Sequence, residues 1–241
     1  MLVAVKRAMM LEDNAGRTRS SDDRKVCKTV WIRLQHENIV PLLGYTTDCP
    51  FPLDGPTPIA LISPWLSRGN FESVLKVNML DADLLKLIRD VANGLVYCNV
   101  LIDDNGNACL TDFGLSFILP EFKDTPLWSS NIGHLNRWSP AELVPPIGED
   151  AEGYVPQLTS RCDIYALGCL VLYGISGERP YHRSKETMVV INLHHRKHPP
   201  RPLNPRLNDE YWRLINRLWG MPGKPATRPT AEEVVKDILA F

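Results

Sequence analysis

A chain of 241 residues, 44% of them hydrophobic and 23% charged, is long enough to bury one or two ordinary hydrophobic cores. Its 27 basic residues are balanced by 28 acidic residues without a basic stripe, which argues against nucleic acid as a partner. No apolar run approaches the roughly twenty residues of a membrane span, and the start is charged too early for a signal peptide. Six cysteines without a paired CxxC spacing indicate reduced thiols, so we expect a cytoplasmic protein without membrane insertion.

The first 64 residues predict a small lobe that contains strands and one helix. The apolar, β-branched start from Leu2 to Val5 predicts a strand, and Asp22 to Leu34 has helical spacing of its apolar residues. Short strands follow at Ile39–Tyr45 and Ile59–Ile62, separated by a loop rich in proline and glycine.

The rest of the chain predicts a larger, mainly helical lobe. From Asp81 onward, apolar residues recur at helical spacing and define a broad buried face. Further helices are expected near Thr159–Ser176, Ser184–His195, Glu210–Leu218 and Thr230–Leu239. The last helix has a capping box, because Glu233 stands three positions after Thr230.

A β-hairpin with polar residues at its two ends is predicted near the middle of the chain. Two short apolar strands flank the turn Asp103-Asp104-Asn105-Gly106-Asn107. Asn99 stands at the start of the first strand, and Asp112-Phe113-Gly114 follows the second, thirteen residues after Asn99. Alone, this tripeptide is equally typical of a turn in which Asp caps a backbone amide and Gly adopts positive φ.

Nearly the whole chain resembles the protein kinase family, most closely the tyrosine-kinase-like group of serine/threonine kinases. The motifs that carry the resemblance occur in the family's order: Val3-Ala4-Val5-Lys6, Ser63-Pro64-Trp65-Leu66, Asn99 with Asp112-Phe113-Gly114, Arg137-Trp138-Ser139-Pro140-Ala141-Glu142, and Thr159 to Gly168. The resemblance implies an α+β, two-lobed kinase-like fold in one domain, residues 1–241. Residues 1–64 would form an incomplete N-lobe and residues 65–241 the helical C-lobe.

The resemblance also implies the roles of the site residues. The nucleotide would be bound by Ala4, Lys6, Ser63, Trp65, Leu66 and Leu101, with Ala4 against adenine and Lys6 on the α- and β-phosphates. Ser63 would be the gatekeeper residue, and Trp65 and Leu66 would belong to the hinge between the lobes. Asn99 and Asp112 would bind Mg²⁺. The implied reaction is transfer of the ATP γ-phosphoryl group to a serine or threonine of a protein substrate or signalling partner.

Three further residues are implied to stabilise the C-lobe. Glu142 would form a buried ion pair with Arg228, far along the chain. Asp163 would accept hydrogen bonds from backbone amides of the catalytic loop, although an Asp here could also cap the first turn of its own helix.

Two departures from the family pattern concern the small lobe. The sequence contains neither the Gly-rich loop nor its two strands, so we expect weak ATP binding. The glutamate that should pair with Lys6 is replaced by Cys27, unless a shifted helix register brings Asp22 or Asp23 into its place.

The third departure is the loss of the His-Arg-Asp catalytic loop. Asp90 to Tyr97 resembles the end of a long helix and Cys98 to Ile102 the following strand, where the family inserts roughly fifteen residues. The catalytic base would fall at Gly94, so no catalytic residue is identifiable. A one-residue connection is too short, so either the helix unwinds near Gly94 or the hairpin moves. Asp163 would then lose its amide donors.

Three hypotheses follow from these departures. The chain is an incomplete form of an active serine/threonine kinase, a true pseudokinase that acts as an interaction scaffold, or an unstable product without a function. Two clean losses beside intact motifs favour excision over gradual decay, and we expect the chain as written to transfer no phosphate.

Overall fold

A computed structural model of the chain describes residues 2–7, 31–47, 60–75, 81–94, 99–111, 136–148, 154–156 and 159–239. The predicted helix from Asp22 lies outside these residues, apart from its last few positions. The predicted metal ligand Asp112 lies outside them too, as do Cys27 and the alternative partners of Lys6, Asp22 and Asp23.

The small lobe contains a three-stranded antiparallel sheet. Its strands are β1 (Val3–Arg7), β2 (Gly44–Thr46) and β3 (Ala60–Pro64), in the order β1-β3-β2. Successive side chains of a strand alternate between its two faces, and on one face of β3 Leu61 and Ser63 are both buried, with Leu61 in the main core.

The predicted strand Ile39–Tyr45 is wrong in its extent, because the strand begins only at Gly44. Pro41 has no N–H to donate to a ladder, which interrupts the run. The residues before it pair elsewhere: Ile39 forms a parallel bridge with Leu110, and Val40 N–H donates to Leu110 O at 2.9 Å.

The second sheet is the predicted hairpin. Strands β4 (Asn99–Ile102) and β5 (Ala108–Thr111) pair antiparallel. The turn closes through a hydrogen bond from Asp103 N–H to Asn107 O (3.0 Å), and Gly106 has the positive φ of 81° that favours glycine.

The large lobe is mainly helical, as predicted. Its helices are α1 (Phe71–Leu75), α2 (Asp81–Asn93), α3 (Arg161–Ser176), α4 (Glu186–His194), α5 (Asp209–Trp219) and α6 (Ala231–Leu239), with 3₁₀ turns at Asn136–Trp138, Ala141–Leu143 and Pro225–Thr227. The predicted capping box at the start of α6 is present, since Thr230 and Glu233 exchange hydrogen bonds between side chain and backbone.

One hydrophobic core connects the two lobes. It includes Trp31, Val40 and Leu61 from the sheet side and the buried faces of α2, α3 and α5. Helices α3 and α5 approach closely at Gly168, where an added Cβ atom would lie 2.8 Å from the Trp219 ring. The α+β fold class predicted from the sequence is therefore confirmed.

The cysteines of the described part are buried and free. They are Cys109, Cys162 and Cys169. Burial raises the pKa of the Cys109 thiol to about 11 and that of Cys169 to about 12, so both thiols remain protonated and unreactive. Within the described ranges, no helix combines the length and apolar character that a membrane crossing requires.

Candidate functional site

The predicted adenine-binding residues lie on two paired strands. In the register of β1 and β3, Ala4 is directly opposite Ser63, and Lys6 is opposite Leu61. Ala4 is half-buried and Ser63 is buried. The pairing therefore brings the predicted phosphate strand and the predicted gatekeeper residue together, while the description of Lys6 extends only to its backbone.

The segment after β3 leads from the sheet into the helical lobe. Trp65 N–H donates to Leu2 O at 3.1 Å, which continues the ladder with the start of β1. The Trp65 side chain is 56% exposed, whereas Leu66 is half-buried and packs against the main core. Of these two predicted hinge residues, Leu66 anchors the segment and Trp65 faces solvent.

The predicted metal ligands stand at the start of β4 and directly after β5 in the sequence, so both belong to the open end of the hairpin. Asn99 is directly opposite Thr111 in the register, and Thr111 immediately precedes Asp112 in the sequence. The register therefore brings the Asn99 backbone next to the residue from which Asp112 continues. Leu101, the predicted nucleotide contact of this hairpin, is half-buried and opposite Cys109.

Backbone hydrogen bonds attach the hairpin to both flanking segments. On one edge, Leu110 N–H donates to Asn38 O (2.8 Å) and Leu110 O accepts from Val40 N–H. On the other edge, Ile102 N–H donates to Gly69 O at 3.0 Å. The hairpin thus joins the small lobe, the segment after the hinge and the helical lobe.

Sequence reasoning missed a polar cluster between α2 and the hairpin turn. Lys86 and Asp90 of α2 contact Asn107 and Ala108 of the hairpin. The sequence signal that could have indicated this cluster is Asp90, an acidic residue three positions after Leu87 on the apolar face of α2.

The connection between α2 and β4 differs from the sequence prediction. Helix α2 ends at Asn93 and not near Tyr97, and Gly94 forms a turn. An added Cβ atom at Gly94 would lie 2.7 Å from Asn38 O, so the backbone passes close to the small lobe here. Residues 95–98, between this turn and Asn99, lie outside the described part of the chain, so the expected unwinding of the last helical turn stays a prediction.

Glu142 and Arg228 form a buried, bidentate ion pair. Arg228 Nη1 bonds Glu142 Oε1, and Nη2 bonds Oε2 at 2.9 Å, with side-chain exposures of 0% for Arg228 and 2% for Glu142. Two further N–H groups of the guanidinium donate to Trp219 O (2.9 Å) and Arg161 O (3.0 Å). Such a bidentate arrangement favours a carboxylate, because two parallel N–H groups of the guanidinium bond its two oxygens at the same time.

The segment that contains Glu142 is attached to helix α4 as well. Arg137 donates to Tyr181 O (2.9 Å) and Ser184 O (2.7 Å), and its Nε pairs with Glu186 at 2.6 Å. Arg196, just after α4, donates to Ala141 O. These bonds hold residues 137–144 against the helical lobe.

Asp163 has an unusual environment for a carboxylate. It lies in the first turn of α3 and is only 9% exposed. Among the residues that the structure describes, none donates a hydrogen bond to its side chain. Burial therefore raises the pKa of Asp163 to about 7.

Removing one partner of the Glu142–Arg228 pair is expected to destabilise the fold strongly. The substitution Glu142→Gln leaves a buried guanidinium without its counter-charge, and we expect a loss of about 3–5 kcal/mol in urea unfolding. Asp237→Asn, which removes the half-buried partner of the exposed Arg217, is the control and should cost less than about 1 kcal/mol. Equal losses in both variants would contradict this prediction.

The raised pKa of Asp163 predicts a specific dependence of stability on pH. Between the ordinary Asp pKa of about 4 and the folded value of about 7, the native state keeps a proton that the unfolded state has lost. This contribution to stability is complete below pH 4, falls by about 1.4 kcal/mol per pH unit in that window, and is absent above pH 7.

Asp163→Asn should therefore remove this loss, so the variant gains stability relative to the natural chain as the pH rises from 5 to 8. Urea unfolding at both pH values measures the difference, with the exposed Asp83→Asn as the matched control. A parallel pH dependence in the natural chain and Asp163→Asn would show that Asp163 stays charged in the fold.

Comparison with known proteins gives relatives of one family. The sequence model of the protein kinase domain matches residues 2–239. Serine/threonine-protein kinase 12 of Arabidopsis thaliana is 26% identical over 90% of this chain and 48% of its own length. The MAP kinase kinase kinase mkh1 of Schizosaccharomyces pombe is 27% identical over 84% of this chain and 18% of its own length. Ephrin type-B receptor 4b of Danio rerio is 25% identical over 70% of this chain and 18% of its own length.

The chain thus spans about half or less of the length of these curated relatives. The match of the family model extends over almost all of the chain and includes both lobes. This chain belongs to the protein kinase family.

Proposed function

We propose that the chain binds Mg·ATP between the three-stranded sheet and the β4–β5 hairpin, as one kinase domain of the tyrosine-kinase-like group. The observation that carries the proposal is the register of the hairpin, in which Asn99 is opposite the residue that precedes Asp112. The family reaction is phosphorylation of serine or threonine in proteins, and the chain as written is catalytically impaired.

The residues proposed to contact the nucleotide are on adjacent strands. Ala4, Ser63, Trp65, Leu66 and Leu101 would surround adenine, and Lys6 would bind the phosphates. The pairing of Ala4 with Ser63 and the bridge between Leu101 and Asn70 support this arrangement. The hairpin would form the floor of the cleft and the β1–β3 pair its roof.

The donor set at the hairpin fits a magnesium ion. An amide oxygen from Asn99 and a carboxylate from Asp112 are oxygen ligands of the type that Mg²⁺ prefers, together with phosphate oxygens. When bound, the ion would neutralise charge on the β- and γ-phosphates. The two protein ligands would hold the phosphates in place at the mouth of the cleft.

The impairment follows from the connection between α2 and β4. Its residues are Gly94, Leu95, Val96, Tyr97 and Cys98, none of which carries a carboxylate or imidazole that could accept a proton from a substrate hydroxyl. A longer form of the chain that restores the loop would be active.

The alternative function is that of a pseudokinase that acts as an interaction scaffold in signalling. One observation favours it: the Glu142–Arg228 pair and the contacts of Arg137 keep the helical lobe ordered without any need for catalysis. Such a protein would bind a signalling partner and would bind nucleotide weakly or not at all.

Binding of Mg·ATP should raise the thermal unfolding temperature of the purified chain. At ten times the dissociation constant the stabilisation is about 1.4 kcal/mol, or about 3 to 6 °C for a domain of this size. Asp112→Asn should abolish the rise, and Asp104→Asn at the exposed turn of the same hairpin is the matched control. A cooperative transition indifferent to Mg·ATP would favour the scaffold, and the lack of a cooperative transition would indicate an unstable fragment.

The chain as written should transfer no phosphate to a generic protein substrate such as casein. Insertion of the catalytic loop of Arabidopsis serine/threonine-protein kinase 12 in place of residues 95–98 should restore transfer, measured with radiolabelled ATP. The same insertion with its aspartate changed to asparagine is the control. Transfer by the natural chain that disappears in Asp112→Asn would contradict the proposed impairment.

A further inference from the structure

A polar cluster joins helix α2 to the turn of the β4–β5 hairpin. The Lys86 Nζ atom lies 3.0 Å from Asp90 Oδ2, 3.2 Å from Gly106 O and 2.7 Å from Asn107 Oδ1. Lys86 and Asp90 are four residues apart, so both project from the same side of α2. The Lys86 ammonium group therefore donates hydrogen bonds to oxygen atoms of both the helix and the turn.

Asp90 makes a second contact, to the first residue of β5. Its Oδ2 atom accepts a hydrogen bond from Ala108 N–H at 3.2 Å, and the residue is only 7% exposed. A buried carboxylate costs stability unless donors satisfy it, and an apolar residue would be the ordinary choice on this face of α2. The hydrogen bond to the backbone of β5 therefore explains why a buried aspartate stands on this face of α2.

The turn itself is closed around Asn107. Its backbone N–H donates to Asp103 Oδ1 at 2.7 Å, and its Nδ2 donates to Asp103 Oδ2 at 3.0 Å. The side-chain oxygen of the same Asn107 accepts from Lys86. Movement of the turn away from α2 would break the contacts of Lys86 and Asp90 together.

The cluster also sets the direction of β5. Ala108 is held by Asp90, and Leu110 is held by Asn38 O, so strand β5 is fixed at two points about 7 Å apart. Two fixed points determine the line of a strand. Thr111, the last residue of β5, is opposite Asn99 in the register, so a tilt at the turn would displace the end of the hairpin where Asn99 lies.

We propose that Lys86 and Asp90 are positioning residues that orient the β4–β5 hairpin and thereby its metal-binding end. The effect on the hairpin stands on the contacts above, and the effect on nucleotide binding rests on the proposed function. Neither residue touches the nucleotide in this proposal.

Hydrogen exchange of the full chain tests the effect on the hairpin directly. The reporters are the amides of Ile102 and Leu110, which bond the flanking segments on opposite edges. The variants are Asp90→Asn and the milder Lys86→Met, with Lys86→Arg as the conservative rescue. Leu84→Ala is the matched control, because it destabilises the core side of the same helix away from the hairpin.

We expect Asp90→Asn and Lys86→Met to speed exchange at both reporters by about tenfold or more relative to the amides of α3 and α5 in the same variant, because a hydrogen bond to a charged group is lost. The dissociation constant of Mg·ATP, titrated well below the unfolding temperature, should rise by a similar factor, and Lys86→Arg should restore both values. Faster exchange spread evenly over the chain, as in Leu84→Ala, would overturn the proposal.

The two readouts separate the two claims. If the natural chain binds no Mg·ATP, the proposed function fails, and the exchange rates alone decide whether the pair orients the hairpin. If the natural chain binds Mg·ATP and Asp90→Asn binds it equally well, the positioning role fails and the proposed function stands.

Discussion

The β4–β5 hairpin is the element on which the arrangement of both lobes depends. It has only eight strand residues, yet its backbone bonds Asn38 and Val40 on one edge and Gly69 on the other, and its turn contacts α2. A two-stranded hairpin alone is marginally stable in water. The contacts with neighbouring segments therefore stabilise the hairpin, and the hairpin in turn fixes those segments relative to one another.

A second, independent constraint orders the far side of the helical lobe. Desolvation of Glu142 and Arg228 is costly, and the pair persists because the guanidinium donates to both carboxylate oxygens and to two backbone carbonyls. The Arg228 guanidinium also lies 5.2 Å from the centre of the Tyr165 ring, which stacks on Trp219. These contacts connect residue 142 to α3 and α5 without any participation of the nucleotide cleft.

Much of the fold could be predicted from periodicity and capping, because these signs depend on neighbours in sequence. Helix α6 with its Thr230–Glu233 box and the hairpin around Gly106 are examples. The extent of β2 could not be predicted in this way, because Ile39 pairs with Leu110, seventy-one residues later. The candidate site was predicted from resemblance, and Asp90 was missed because its role depends on a contact with a distant strand.

The loss of the catalytic loop, which we infer from the sequence, would affect the two lobes differently. In the hairpin, every described backbone contact that orients the cleft is made by segments other than that loop, so the cleft can keep its shape. At Asp163, by contrast, a carboxylate is buried without a described donor, which is unfavourable for the charged form. Removal of the catalytic loop would leave the described backbone contacts of the hairpin in place, whereas Asp163 would lose the amide donors that the resemblance implies for it. Removal of this single segment would thus affect the helical lobe more than the hairpin.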